Sequence, residues 1–151
     1  MSFSLGNTSL QKLQGVHPDL INVVKLAIQK SKQDFSVIEG LRTLERQKEL
    51  VSKKLSQTLN SKHIKQSDGF GHAVDLAPYP LSWDLAKFYQ IADAVREAAK
   101  ELNVKVRWGG CWAVLNETTK DTKTLVEEYS AGRRKQGLKA FIDGPHFELY
   151  R

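Results

Sequence analysis

The sequence predicts a mixed fold in which a few amphipathic helices are interleaved with short strands, and three observations predict it. Apolar residues recur at three- and four-residue spacing through 16–31 and 82–101. Short apolar or alternating runs occupy 35–40, 72–77, 104–108 and 146–150, too short for helices of ordinary length. Glycines stand where several of these stretches stop, at Gly40, Gly109 and Gly137. With 151 residues, 40% of them apolar and 26% charged, the chain is one domain's worth of ordinary globular protein, long enough to bury a core.

Taken in order, Val16, Leu20, Val23, Val24, Ala27 and Ile28 make one face of a core-directed helix over 16–31, with Pro18 in its first turn. Phe35 to Gly40 reads as a strand that delivers Leu41 and Arg42 at its end. Leu44 to Leu55 reads as a second helix with Thr43 as N-cap, followed by a loop over Ser56 to Asn60. His72 to Ala77 is a buried strand. Ser82 is the expected cap of a long helix running through 101, whose stripe of Leu85, Phe88, Ala92, Val95, Ala99 and Leu102 is core. Val104 to Trp108 alternates as a strand. Thr122 to Gln136 is helical, with Arg133, Arg134 and Lys135 suited to the negative end of its dipole. In the last strand, alternation puts His146, Glu148 and Tyr150 on one face and Phe147 and Leu149 on the other.

Composition narrows the function. No apolar run approaches the length of a membrane span, and the first residues lack a basic segment followed by an apolar one, so neither membrane insertion nor a signal peptide is expected. A lone Cys111 excludes an internal disulfide and suits a reducing compartment; without a spaced cysteine partner it is expected to be structural. The net charge of +6 fits attraction to nucleic acid or to anionic envelope polymers as well as plain solubility. No basic-aromatic stripe stands out, so no nucleic-acid partner is expected.

The chemistry concentrates in Ser61–Pro78 and Asp143–Glu148. Zn²⁺ accepts neutral imidazole nitrogen and carboxylate oxygen, and three protein ligands suffice for a hydrolytic centre. His63, Asp75 and His146 are the expected ligands, since Asp75 sits in a buried strand where a carboxylate needs a strong partner. Asp143, separated from the last strand by Gly144 and Pro145, is the expected general base, with Glu148 in reserve.

These motifs resemble those of the zinc D-alanyl-D-alanine carboxypeptidase and L-alanyl-D-glutamate endopeptidase group, most of all its single-domain phage and prophage endolysins. The residues that carry the resemblance are Ser61-x-His63, Gly71-His72-Ala73-Val74-Asp75 and Asp143-x-x-His146. Val16 to Leu20, Ile38 to Thr43, Thr58 to His63 and Trp108-Gly109-Gly110 follow in the same order. Two departures stand out. Asp75 follows His63 by twelve residues instead of the compact seven, which makes Asp68 and His72 rival ligands. The segment from Cys111 to Ile142 is longer than in the shortest endolysins and is expected to cover substrate.

The resemblance implies a small α+β fold, a single domain over 1–151 with a short antiparallel sheet and flanking helices, like the hedgehog and D-Ala-D-Ala peptidases, and no separate wall-binding domain. It implies one Zn²⁺ and hydrolysis of the L-alanyl-D-glutamate bond of the peptidoglycan stem peptide. Arg42 would hold a substrate carboxylate or the oxyanion. Ser61 and Trp108 are placed as substrate contacts, against plainer readings as a loop hydrogen bond and a buried aromatic, and Trp112 as a cleft residue. A monomer is expected that waits in the host cytoplasm and reaches the wall with the help of a holin-type membrane permeabiliser. The alternatives are a D-alanyl-D-alanine carboxypeptidase or dipeptidase with the same centre, a catalytically silent zinc-binding domain, and a basic nucleic-acid binder.

Overall fold

The computed structural model describes residues 2–54 and 61–151; the end of the second predicted helix and the loop Ser56 to Asn60 lie outside them. Among these residues five helices accompany one antiparallel sheet: α1 (Asn7–Lys12), α2 (Pro18–Lys30), β1 (Phe35–Glu39), α3 (Leu44–Ser52), β2 (Ala73–Pro78), α4 (Leu85–Leu102), β3 (Val106–Trp108), β4 (Ala113–Val114), α5 (Thr122–Lys135) and β5 (His146–Leu149). The strands lie in the order β1-β2-β5-β3-β4, every neighbouring pair antiparallel. This is the expected α+β arrangement.

Local chemistry sets the helix ends. The His17 ring accepts from the Asp19 N–H, and Pro18 opens α2 with its φ already helical. Thr43 caps α3 through the Arg46 N–H, as expected. For α4 the cap is Asp84 rather than Ser82; the Ser82 hydroxyl instead accepts from the Asp84 N–H, one turn earlier in the approach. A carboxylate at the cap also meets the positive end of the dipole, which favours Asp84. The short α1 was not expected, because six residues cannot display a helical period.

The core lies on one side of the sheet. Leu20, Val23, Val24 and Ala27 of α2 and Ile91, Val95 and Ala98 of α4 pack with Val74, Leu76, Phe147 and Leu149 from the strands, all of them buried. Since strand residues alternate, burying Val74 and Phe147 turns Asp75 and His146 to the other face. The register then decides the rest: Asp75 is directly opposite His146 on β5 and opposite Glu39 on β1, and Glu148 lies between Ala73 and Arg107. Opposed residues on one face have Cβ atoms about 4.5–5.5 Å apart, so pairing of β2 with β5 alone brings ligand beside ligand.

The segment 111–142 adds β4 at the sheet edge, a 3₁₀ turn at Leu115–Glu117 and α5, which packs against α4. Its two ends are pinned at Gly109, whose N–H donates to the His146 carbonyl (2.8 Å) and whose carbonyl accepts from Asp143 N–H (2.9 Å). A Cβ at Gly109 would overlap the Asp143 carbonyl and lie 3.0 Å from the Cβ atoms of Asp143 and His146. Replacing Gly109 by alanine is expected to lower stability by about 2 kcal/mol, seen as a fall of several degrees in thermal unfolding. A variant that melts with the parent would refute the close-approach role.

Candidate metal centre and active site

His63 reaches the sheet face from the loop before β2. Its Nδ1–H donates to the Gly40 carbonyl at 2.9 Å, which turns Nε2 toward Asp75 Oδ1, 3.1 Å away. His146 is held the other way round. Its Nε2 is 2.8 Å from Glu148 Oε1, and its Nδ1 lies 3.4 Å from the same Asp75 oxygen. With each ring's other nitrogen occupied by a hydrogen-bond acceptor, the inner faces of both imidazoles and Asp75 present three electron-pair donors to one point. Their donor atoms all lie within 4.8 Å of one another.

That arrangement fits a metal ion. Two ligand atoms about 2.0–2.1 Å from a tetrahedral ion stand about 3.3–3.4 Å apart, which matches the separations from Asp75. Gly40 and Glu148 are the outer partners that fix ring orientation and tautomer. The rival pair Asp68 and His72 turn to each other at 2.7 Å, with His17 next to them, and are not among the converging donors.

Electrostatics tell the same story from the protein's side. Burial works against ionised Asp75, but hydrogen bonds and charge from His146 and His63 outweigh it and hold its carboxyl well below the usual range. Burial also works against protonated His146, yet bonds to Asp75 and Glu148 push its pKa up to about 9. Glu148 is lowered despite burial, chiefly through His146. A proton on His146 thus occupies the place a metal would take.

Asp143 shares a cleft with Asp75 and is raised, first by burial and then by the charge of Asp75. Glu148, the reserve base, stands behind His146 at the ring nitrogen turned away from Asp75, so it serves as an orienting carboxylate. Arg42 forms a fork with Glu39, Nε to Oε1 at 2.5 Å and Nη2 to Oε2 at 2.8 Å, and donates from Nη1 to Gln47 at 2.6 Å. Two of its five N–H groups are left over by these bonds.

Two expectations need correction or refinement. Trp108 is completely buried, stacked on Phe147 with its indole N–H on the Gly144 carbonyl, and cannot touch substrate. It supports the turn that carries Asp143 and His146. Ser61 accepts from the His63 N–H at 3.1 Å and so braces the ligand loop, while also bordering a cleft with Lys62 and Lys65. Trp112 lies across His146 with ring centres 5.5 Å apart, and buried Cys111, its thiol pKa raised by burial, is structural. Reading the sequence missed Glu39, Gly40 and Gln47. Only their closeness to Arg42 hinted at them.

Because His146 must lose its proton to bind a metal, affinity should rise with pH, by up to tenfold per unit below about 9. Titration calorimetry near neutral pH, in buffers of different ionisation heat, should count close to one proton released per ion; release of none would refute the exchange. Glu148→Gln, which weakens the brace on His146, should cost about 10–100-fold in metal affinity. Unchanged affinity in that variant would mean that Glu148 orients nothing.

Comparison with known proteins agrees with this geometry. A model of the phage L-alanyl-D-glutamate peptidase family matches residues 1–150. The L-alanyl-D-glutamate peptidase of Escherichia phage T5 is 34% identical over 119 residues, which cover 74% of this chain and 83% of that protein. The crystal structure of the Serratia marcescens L-Ala D-Glu endopeptidase ChiX superposes with a TM-score of 0.69 at 40% identity, covering 95% of this chain and 87% of that one. A converging His63, Asp75 and His146 on an antiparallel sheet, in a chain matched over nearly its whole length, make this protein a peptidase that belongs to the phage L-alanyl-D-glutamate peptidase family.

Proposed function

We propose that this chain is a zinc-dependent peptidoglycan endopeptidase of the endolysin type, hydrolysing the bond between L-alanine and D-glutamate in the stem peptide. The observation that carries it is the convergence of three metal-binding donors beside a second, ionisable carboxylate in an open cleft. A donor set of two imidazoles and one carboxylate suits zinc, and Lewis-acid polarisation of the carbonyl together with a lowered water pKa is what the ion supplies when bound.

The chain's own groups do the rest. Asp143 takes the proton of the attacking water as its oxygen bonds to the alanyl carbonyl carbon. It then returns the proton to the glutamyl nitrogen as the C–N bond breaks. Its raised pKa favours the first step, because a carboxylate that binds a proton more tightly is the stronger base toward the attacking water. Arg42, pre-set by Glu39 and Gln47, offers its remaining N–H groups to the developing oxyanion or a substrate carboxylate. Ser61 keeps His63 in place. As an endolysin the chain acts as a monomer, released to the wall by a separate membrane permeabiliser. Among the described residues no helix is long and apolar enough to cross a membrane.

Purified protein incubated with peptidoglycan should release fragments with new N-terminal D-glutamate, lose that activity to a chelator, and regain it with zinc. Free D-alanine as the product would instead identify a carboxypeptidase. Asp143→Asn should keep the metal and lose about 10²–10⁴-fold in kcat. Near-parental turnover by that variant would remove Asp143 from the mechanism.

A further inference from the structure

The cleft that contains Asp75 and Asp143 extends away from the metal ligands as an apolar trough of ≈ 410 Å³, walled by Ile38 of β1, Leu85 and Phe88 of α4, and Ile142. Trp83 closes its outer side. The indole is 66% exposed and lies flat on Phe88, ring centres 5.9 Å apart and 19° from parallel, so one face is supported and the other is offered to solvent. Such a tryptophan is unusual on a small protein, where large aromatic side chains are normally covered, and exposed apolar surface of this kind marks binding.

Charge decides what binds there. Among the described residues the cleft has no cation in its lining, and its two ionisable groups, Asp75 and Asp143, are both acidic. Nothing in that lining would pair with a substrate carboxylate. The separate cleft bordered by Ser61, Lys62 and Lys65, next to His63, is basic. The stem peptide is asymmetric in the matching sense. On the glutamate side of the scissile bond it carries a free carboxylate. On the alanine side it is neutral: a methyl group, a lactyl group and the N-acetylated sugar to which alanine is joined.

We propose that Trp83 is the sugar platform of this enzyme. The trough takes the alanyl and lactyl methyl groups between Ile38, Phe88 and Ile142, and the N-acetylmuramyl ring lays its C–H face on the exposed indole. The glutamate side of the substrate then runs toward Lys62 and Lys65. This assignment rests on the endopeptidase reading above. It makes Trp83 a specificity-determining contact, distinct from the groups that carry out hydrolysis.

The test compares two soluble substrates, a muramyl peptide beginning muramyl-L-alanyl-D-glutamate and the same peptide with an N-acetyl group in place of the sugar. The parent enzyme should prefer the muramyl substrate by about tenfold in kcat/KM, and Trp83→Ala should bring that ratio close to one. Trp83→Phe, which keeps an aromatic face on Phe88, should retain an intermediate ratio and guards against misfolding as the cause. Parent enzyme that cuts both substrates equally, or a Trp83→Ala enzyme that keeps the preference, overturns the sugar assignment and leaves the endopeptidase reading standing. Parent enzyme that cuts neither overturns both.

Discussion

A carboxylate inside a β-sheet is the constraint on which the rest of this structure depends. An ionised Asp75 without partners would cost several kcal/mol, comparable to the whole stability of a domain this size. The fold answers by converging on it from three directions: His146 across the ladder, His63 from the preceding loop, and the charge of Arg42 from beyond the other neighbouring strand. Each of these partners has its own support. Gly40 holds His63, Glu148 holds His146, and Glu39 holds Arg42. The candidate metal centre is therefore the inner end of a hydrogen-bond network that reaches into the sheet, and the partners that offset the burial of Asp75 also preorganise it.

The same network explains the division of labour between carboxylates. Four of them lie near the site, in four different environments. Asp75 is forced ionised by two imidazoles, and Glu148 is forced ionised by one. Glu39 is committed to a guanidinium. Asp143, buried beside the charge of Asp75, is shifted toward holding a proton. Environments that push carboxylates apart in acidity are how one site assigns distinct roles to chemically identical groups.

Much of this was legible in the sequence, for physical reasons. His146, Phe147, Glu148 and Leu149 alternate, so their faces followed directly, and the spacing from Asp143 announced a turn at Gly144-Pro145. What stayed hidden depends on register and on backbone groups. The carbonyl of Gly40 has no sequence signature, and Glu39 meets Asp75 only because β1 shifts register between Val37 and Glu39. Trp108 was placed as a substrate contact although the opposing signal was present: Val106 and Trp108 share the apolar face of an alternating strand, which buries Trp108. Trp83, in the polar approach to α4, is the exposed one.

The two hydrogen bonds at Gly109 have a consequence for how this enzyme can be varied. They close residues 110–142 into a loop whose ends meet beside the site. The entropic cost of such a closed loop grows only with the logarithm of its length. Lengthening that loop at exposed Gln136 to Lys139, away from Leu115, Leu125 and Val126 that it adds to the core, leaves its anchor points and the site geometry where they are. Evolution and protein engineers alike thus have a place to append or swap material within a single catalytic domain.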